Sequence, residues 1–290
     1  MNTKPSIESI SFIGLGLIGM SLLRALRSTP IAVEAGIIFS GFDPSFTEAD
    51  IEEAGMLGLD QFIEDREELF SADVVVLAAP VLTNIALLDE AARLSPPTTI
   101  IADVSSTKGD IFKRAQELNL PYFGLHPMAG KELQGFRESS PDLFKEMPIF
   151  LCHDHKLPYK GRGLILRKMI ESIAGSLVTS NPILHDQIMA RVSHLPQLMS
   201  TLLIDYCSSQ LRVSGPGFAS LTRLAGSPWE IWHDIIGTNN KNIADAIEEF
   251  AMKLVELSWE VRDIDNESLE SRFDEANRLH KYMQLPGWRT

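Results

Sequence analysis

Cysteine is scarce in this chain. Cys152 and Cys207 are the only two in 290 residues and form no CxxC pair, which excludes a disulfide framework and a zinc knuckle. Long apolar runs are missing as well. The most apolar N-terminal stretch is broken by Gly14, Gly16 and Gly19, so no membrane-spanning helix is expected. The opening residues, MNTKPSIESI, lack the charged and apolar regions of a signal peptide. Positive charge is in deficit: 26 Lys and Arg against 39 Asp and Glu leave a net charge of −13. A field of that sign disfavours binding to a phosphate backbone, and an anionic substrate then needs a local cationic pocket. Neither a nucleic-acid nor a membrane partner is expected. No metal is expected either, because His153-Asp154-His155 lacks a third ligand and reads as a polar loop. What is present, 44% hydrophobic and 22% charged residues, is ordinary for a cytoplasmic globular protein with chain enough for two domains.

The first half alternates short apolar runs with helical patterns. Ser9–Ile13, Ile37–Phe42, Val74–Ala79, Ile100–Ala102, Tyr122–Leu125, Ile149–Cys152 and Ser176–Thr179 read as strands, with a helix over Ile18–Leu26 after the first. Several runs are continuously apolar, as strands covered on both faces require. The pattern predicts an α/β fold with a Rossmann-type, doubly wound, mostly parallel sheet over residues 1–180. After Asn181-Pro182 the strand signals stop, and residues 181–290 read as an all-helical domain. A helix is expected over Leu184–Gln210, kinked by Pro196. The last long helix carries Ile243, Ile247, Phe250, Leu254, Leu257 and Val261 on one face, suited either to an internal core or to a subunit interface.

The strongest single motif is Gly14-Leu15-Gly16-Leu17-Ile18-Gly19, preceded by a strand and followed by a helix. That is the context a dinucleotide-binding loop requires, with the backbone N–H groups of the helix start facing the phosphates. Asp43 closes the next strand, where a carboxylate accepts hydrogen bonds from ribose hydroxyls. Residues 44–47 contain no Arg or Lys for a 2′-phosphate, so NAD is expected rather than NADP. A plain turn Asp before Pro44 explains the residue but not its spacing from the glycines.

Ligands of open α/β sheets bind beyond the carboxyl ends of the strands. Pro80 follows the third expected strand as an apolar wall beside a cofactor; Asp103-Val104-Ser105-Ser106-Thr107-Lys108 follows the fourth, and His126-Pro127-Met128-Ala129-Gly130-Lys131-Glu132 the fifth. Ser106, Lys108 and His126 are expected to point toward one crevice. His126 titrates nearest neutrality, which suits a general base. The bland role is a strand-end histidine bonded to backbone. In the helical half, His194 lies in Ser193-His194-Leu195-Pro196, at the expected kink, and Arg223 in what reads as a largely apolar helix. Arg223 suits a carboxylate clamp or a surface salt bridge equally.

The set GLGLIGMS at 14–21, DVSSTKG at 103–109, HPMAGKE at 126–132, SHLP at 193–196 and TRLAGSPWEIW at 222–232 resembles the prephenate/arogenate (cyclohexadienyl) dehydrogenases of tyrosine biosynthesis. The resemblance implies a homodimer formed through the helical domain and NAD-dependent oxidative decarboxylation of prephenate to 4-hydroxyphenylpyruvate. By motif match, His126 takes the ring-hydroxyl proton and Ser106 binds that hydroxyl and orients His126. Arg223 holds a carboxylate, His194 lines the substrate pocket, Glu132 sits at its mouth and Trp232 lies near the subunit contact. Gly14, Gly16, Leu17, Ile18, Gly19, Asp43, Pro80 and Ser105 serve the cofactor. Two departures stand near the substrate side chain. Gln197 replaces a frequent His, and Ala219-Ser220 replace a cation followed by Asp. They bear on prephenate against arogenate. The chain ends at Thr290, so an appended regulatory domain is not expected. A β-hydroxyacid dehydrogenase shares the two-domain plan, but HPMAG and SHLP argue against it. An NAD-binding redox sensor or scaffold would have no reason to carry His126, Ser106 and Arg223 together.

Overall fold

The structure, a computed structural model, describes residues 6–131, 133–153 and 160–285. The chain divides into two compact units: Met1–Asp186 with Pro228–Thr238, and Gln187–Ser227 with Asn239–Thr290.

The first unit is built on strands β1 (Ser9–Ile13), β2 (Ile38–Phe42), β3 (Gln61–Phe62), β4 (Val74–Leu77), β5 (Ile100–Asp103), β6 (Tyr122–Pro127), β7 (Pro148–His153) and β8 (Ser176–Ser180). They form one sheet in the order β3-β2-β1-β4-β5-β6-β7-β8. Pairing is parallel from β3 through β6. β7 runs antiparallel to β6, and β8 runs parallel to β7. The continuous apolar strands follow from a core on each face. Val74 and Val76 enter one cluster with Phe12, Met20 and Phe39. Val75 and Leu77 enter the other with Leu88, Ile101 and Ile111. Successive side chains of a strand point to opposite faces, so a strand covered on both must be apolar throughout.

β4 stops at Leu77, short of the expected Ala79. The Asn84 side chain accepts from the Ala79 N–H (3.1 Å) and donates to the Ala79 carbonyl (2.8 Å), so those groups leave the ladder. β3 was not expected; two residues offer no periodicity to read. The strand order reverses between β1 and β4, which makes their carboxyl ends the topological switch point where such sheets bind ligands.

The second unit is built from helices. The kink expected at Pro196 is taken up one turn earlier. α-Helix Pro182–Met189 passes into a π-helical turn, Ala190–His194, before α-helix Leu195–Tyr206 resumes. Proline removes an N–H and its ring crowds the carbonyl four residues back, and a wider turn relieves both. The helical span Trp229–Asp263 is two helices that meet at Asn239 (φ −137°, ψ 21°). A further helix, Asn266–Met283, follows it, so the stripe-bearing helix is not the last one. Of that stripe, Ile243 is buried while Ile247, Phe250, Leu254 and Val261 are exposed.

Candidate active site

The glycine loop lies between β1 and helix Leu17–Arg27. Gly14 has φ +98°, and a Cβ there would sit 2.6 Å from the Ala78 carbonyl carbon at the end of β4. A Cβ on Gly19 would meet the Gly14 oxygen at 2.2 Å. Both positions therefore require glycine. Gly16 differs, because nothing lies within 4 Å of where its Cβ would stand. Gly16 is also the N-cap of helix Leu17–Arg27 and provides no side-chain cap. The N–H groups of the first turn, at Leu17 and Ile18, thus face a ligand position with a positive dipole end. These residues fit a dinucleotide phosphate.

Asp43, after β2, accepts from the Leu15 N–H (2.9 Å) with Oδ2 and from the Ser45 N–H (3.0 Å) and hydroxyl (2.6 Å) with Oδ1. Its carboxylate therefore shapes the glycine loop as well as the end of β2. Pro80 is exposed at the N-cap of helix Val81–Leu94. Ser105 is buried. Its hydroxyl accepts from Asn84 Nδ2 (3.0 Å) and its N–H donates to Asp103 Oδ2 (2.8 Å), so it braces the loop after β5. Ser106, next to it, is half-buried.

Lys108 corrects one expectation. It does not face a crevice: the side chain is fully buried, with Nζ 2.6 Å from Asp103 Oδ2. The Tyr122 hydroxyl donates to the other Asp103 oxygen. Burial, then the Asp103 charge, holds the Tyr122 phenol well above its ordinary range, so it stays a donor. A buried ammonium requires a partner of this kind, because desolvation would otherwise expel the charge.

His126 lies at the end of β6 and is nearly buried. Its Nδ1 is 2.9 Å from Nε2 of His185. His185 Nδ1 is in turn 2.8 Å from Asp186 Oδ1. The Asp186 carboxylate also accepts from the N–H groups of Lys108 and Gly109, both at 2.8 Å, at the start of helix Gly109–Glu117. Burial lowers the His185 pKa below its ordinary value, and hydrogen bonding to Asp186 opposes that shift. His185 and Asp186 carry no sequence signal of function; an isolated His-Asp pair in a helix is unremarkable without its partner 59 residues away.

The other substrate candidates lie in the second unit. His194 is buried in the π-helical turn, and Asn239, at the helix break, donates Nδ2–H to its Nδ1 at 3.2 Å. Gln197 is buried too, with Nε2 donating to the Leu224 carbonyl (2.7 Å) and Oε1 accepting from Ser227 (3.3 Å). It braces the turn that begins at Arg223 and has committed both ends of its amide to its own chain. Arg223 is exposed and starts a 3-10 turn, Arg223–Gly226, rather than lying in a helix. Trp232 is half-buried in the first unit's helical segment. Glu132, Asp154 and His155 lie outside the described residues.

The arrangement offers a nucleotide loop at one strand end and an oriented imidazole at another. Two family models match the chain. The nucleotide-binding domain of prephenate dehydrogenase matches residues 34–178, and the dimerization domain of prephenate dehydrogenase matches 181–283. The chain belongs to the prephenate dehydrogenase family. The family is one of NAD-dependent oxidoreductases. The chain is 29% identical to a cyclohexadienyl dehydrogenase of Zymomonas mobilis over 93% of its own length and 94% of the relative's. It is 25% identical to a prephenate dehydrogenase of Lactococcus lactis, over 96% of its length and 78% of that chain. Its fold matches the crystal structure of prephenate dehydrogenase from A. aeolicus in complex with hydroxyphenyl propionate and NAD+. There the TM-score is 0.86 at 26% identity, covering 96% and 99% of the two chains. His185 and Asp186 fall within the second family match by sequence, yet pack in the first compact unit.

Proposed function

We propose that this member of the family catalyses the NAD+-dependent oxidative decarboxylation of prephenate to 4-hydroxyphenylpyruvate. The observation that carries the reading is His126, an imidazole held at the carboxyl end of a strand in a sheet whose glycine loop fits a dinucleotide. Gly14, Gly16 and Gly19, the N–H groups of Leu17 and Ile18, Asp43, Pro80 and the loop braced by Ser105 hold NAD+. When bound, NAD+ supplies the hydride acceptor.

The chain's own work is to position a dianion and to move one proton. His126 takes the proton of the ring hydroxyl, and Ser106 hydrogen-bonds that hydroxyl. Arg223 binds a substrate carboxylate, a task that suits a guanidinium because its planar fork matches the carboxylate. His194, Glu132 and Gln197 shape the remainder of the substrate site, Gln197 by holding the turn that starts at Arg223. Loss of CO₂ leaves an aromatic ring, so alignment and proton removal are the main demands on the protein.

The same proposal makes the enzyme a homodimer through its helical unit. Support comes from the match to a dimerization domain and from Phe250, Leu254 and Val261 standing exposed on one helix. It places the enzyme in the cytoplasm, which suits two unpaired thiols. Mixing the protein with prephenate and NAD+ should raise absorbance from NADH together with 4-hydroxyphenylpyruvate. Absence of both, with the protein folded, would overturn the reading.

A further inference from the structure

We propose that His185 and Asp186 lock the tautomer of His126, keeping its proton on Nδ1 and so making Nε2 the atom that takes the substrate's proton. The inference rests on His126 being the base of the proposed reaction. It names His185 and Asp186 as positioning residues that act through His126.

The argument starts at Asp186. Both oxygens of its carboxylate accept backbone N–H groups, Oδ1 from Lys108 and Oδ2 from Gly109, so it faces His185 as an acceptor. The His185 nitrogen facing it at 2.8 Å, Nδ1, must carry a hydrogen. Burial keeps His185 neutral, so this is its only ring proton and Nε2 presents a lone pair. That lone pair faces His126 Nδ1 at 2.9 Å. Two lone pairs cannot oppose each other at that distance, so His126 Nδ1 is the donor. A neutral His126 then has its basic nitrogen at Nε2.

The charges that act on His185 are Asp186 together with Lys108 and Asp103, and the last two form an ion pair. Phe150 packs edge-on against the His185 ring. Cys152, on β7 beside β6, has its thiol pushed up to about 12 by burial and stays neutral. When the substrate hydroxyl breaks its O–H bond, Nε2 of His126 gains the proton and the ring becomes an imidazolium. Its Nδ1–H still donates to His185, now in a charge-assisted and stronger bond. No proton need leave His185, and Asp186 stabilises the new charge from one residue further on.

The direct test is a long-range proton–nitrogen correlation spectrum of the unmodified protein labelled with nitrogen-15 histidine. His126 is assigned by the signals lost in His126→Asn. Expected at neutral pH are a pyrrole-like Nδ1 and a pyridine-like Nε2 for both His126 and His185. A His126 protonated on Nε2 alone would overturn the inference. Kinetics supply a second arm. His185→Phe keeps the ring volume but offers no acceptor, and should lower kcat between about 10-fold and 10⁴-fold, the upper end being what a wrong tautomer causes in a serine-protease triad. KM for prephenate should move by less than about threefold, since binding contacts are unchanged. His185→Gln, with Oε1 available to accept from Nδ1, should recover part of the rate. Parental kcat and an unchanged pH profile in His185→Phe would sink the proposal. The spectrum reads the tautomer whether or not prephenate is a substrate, so failure of the functional reading is distinguishable.

Discussion

At the scale of single residues, the proposed reaction is tested at His126, Asp43 and Gln197. His126→Asn should lower kcat by about 10²–10⁴-fold, the usual cost of losing a general base, with little change in cofactor affinity. In the parent, turnover should fall at low pH as the imidazole takes up a proton, because only the neutral ring accepts one. A variant with near-parental kcat across the pH range would remove His126 from its role. Asp43 would face a 2′-phosphate with like charge, so kcat/KM should favour NAD+ over NADP+. Asp43→Ser should relax that preference. It should also weaken binding of both cofactors, because Asp43 holds the Leu15 N–H of the glycine loop. Equal kcat/KM for the two cofactors in the parent would refute the assignment. Under the proposed function, Gln197 would bear on the choice between prephenate and arogenate, which differ only in a side-chain keto or ammonium group. The neutral residues Gln197 and Ala219 impose no repulsion on an ammonium, so measurable turnover of arogenate is expected. Gln197→His should shift the kcat/KM ratio toward prephenate. Because Gln197 also braces Leu224 and Ser227, an unchanged ratio would assign it to bracing alone.

At the scale of elements, the loop after β5 is organised from inside. Asp103 receives Lys108 Nζ, the Tyr122 hydroxyl and the Ser105 N–H, while Asp186 receives the backbone N–H groups of Lys108 and Gly109. Both side chains of the Asp103–Lys108 pair are fully buried. Lys108→Met would leave Asp103 charged and short of a partner. It should cost about 3–5 kcal/mol, the range for breaking a buried pair from one side. Chemical denaturation measures this, and adding Asp103→Leu should recover much of the loss by removing the orphaned charge. A Lys108→Met variant as stable as the parent would show that Tyr122 and Ser105 suffice. Elsewhere the elements follow their local patterns. β1, β2 and β4 to β8 were readable as apolar runs, and helix Leu17–Arg27 from its place after the glycine loop. β3 is too short to read. Helix Asn266–Met283 has few apolar residues, and the Arg223–Gly226 turn is defined by bonds to Gln197 and Ser200 rather than by its own sequence.

At the scale of the whole molecule, the helical unit exposes a stripe that a monomer would leave in water. Phe250 and Leu254 are 37% and 44% exposed, and Val261 is 59% exposed. Apolar groups at helical spacing on one face gain most by meeting a second copy. Light scattering on the unmodified chain should give the mass of a dimer. Phe250→Glu with Leu254→Lys should yield monomer or insoluble protein. A stable monomer of the unmodified chain would rule out the dimer.

Periodicity and spacing were enough, without coordinates, to give the α/β class, the glycine loop, Asp43 and the strand-end position of His126. Those features are local: each is written in residues a few positions apart, and the backbone geometry they require follows from turn sterics and the alternation of a strand. The partners of buried polar groups are of another kind. His126 meets His185, and Lys108 turns inward to Asp103 while its N–H goes to Asp186, 78 residues along the chain. Nothing in the spacing marks these pairs. They form because an ionisable group taken out of water must find a charge or a hydrogen bond, and only the folded sheet decides which one lies within reach.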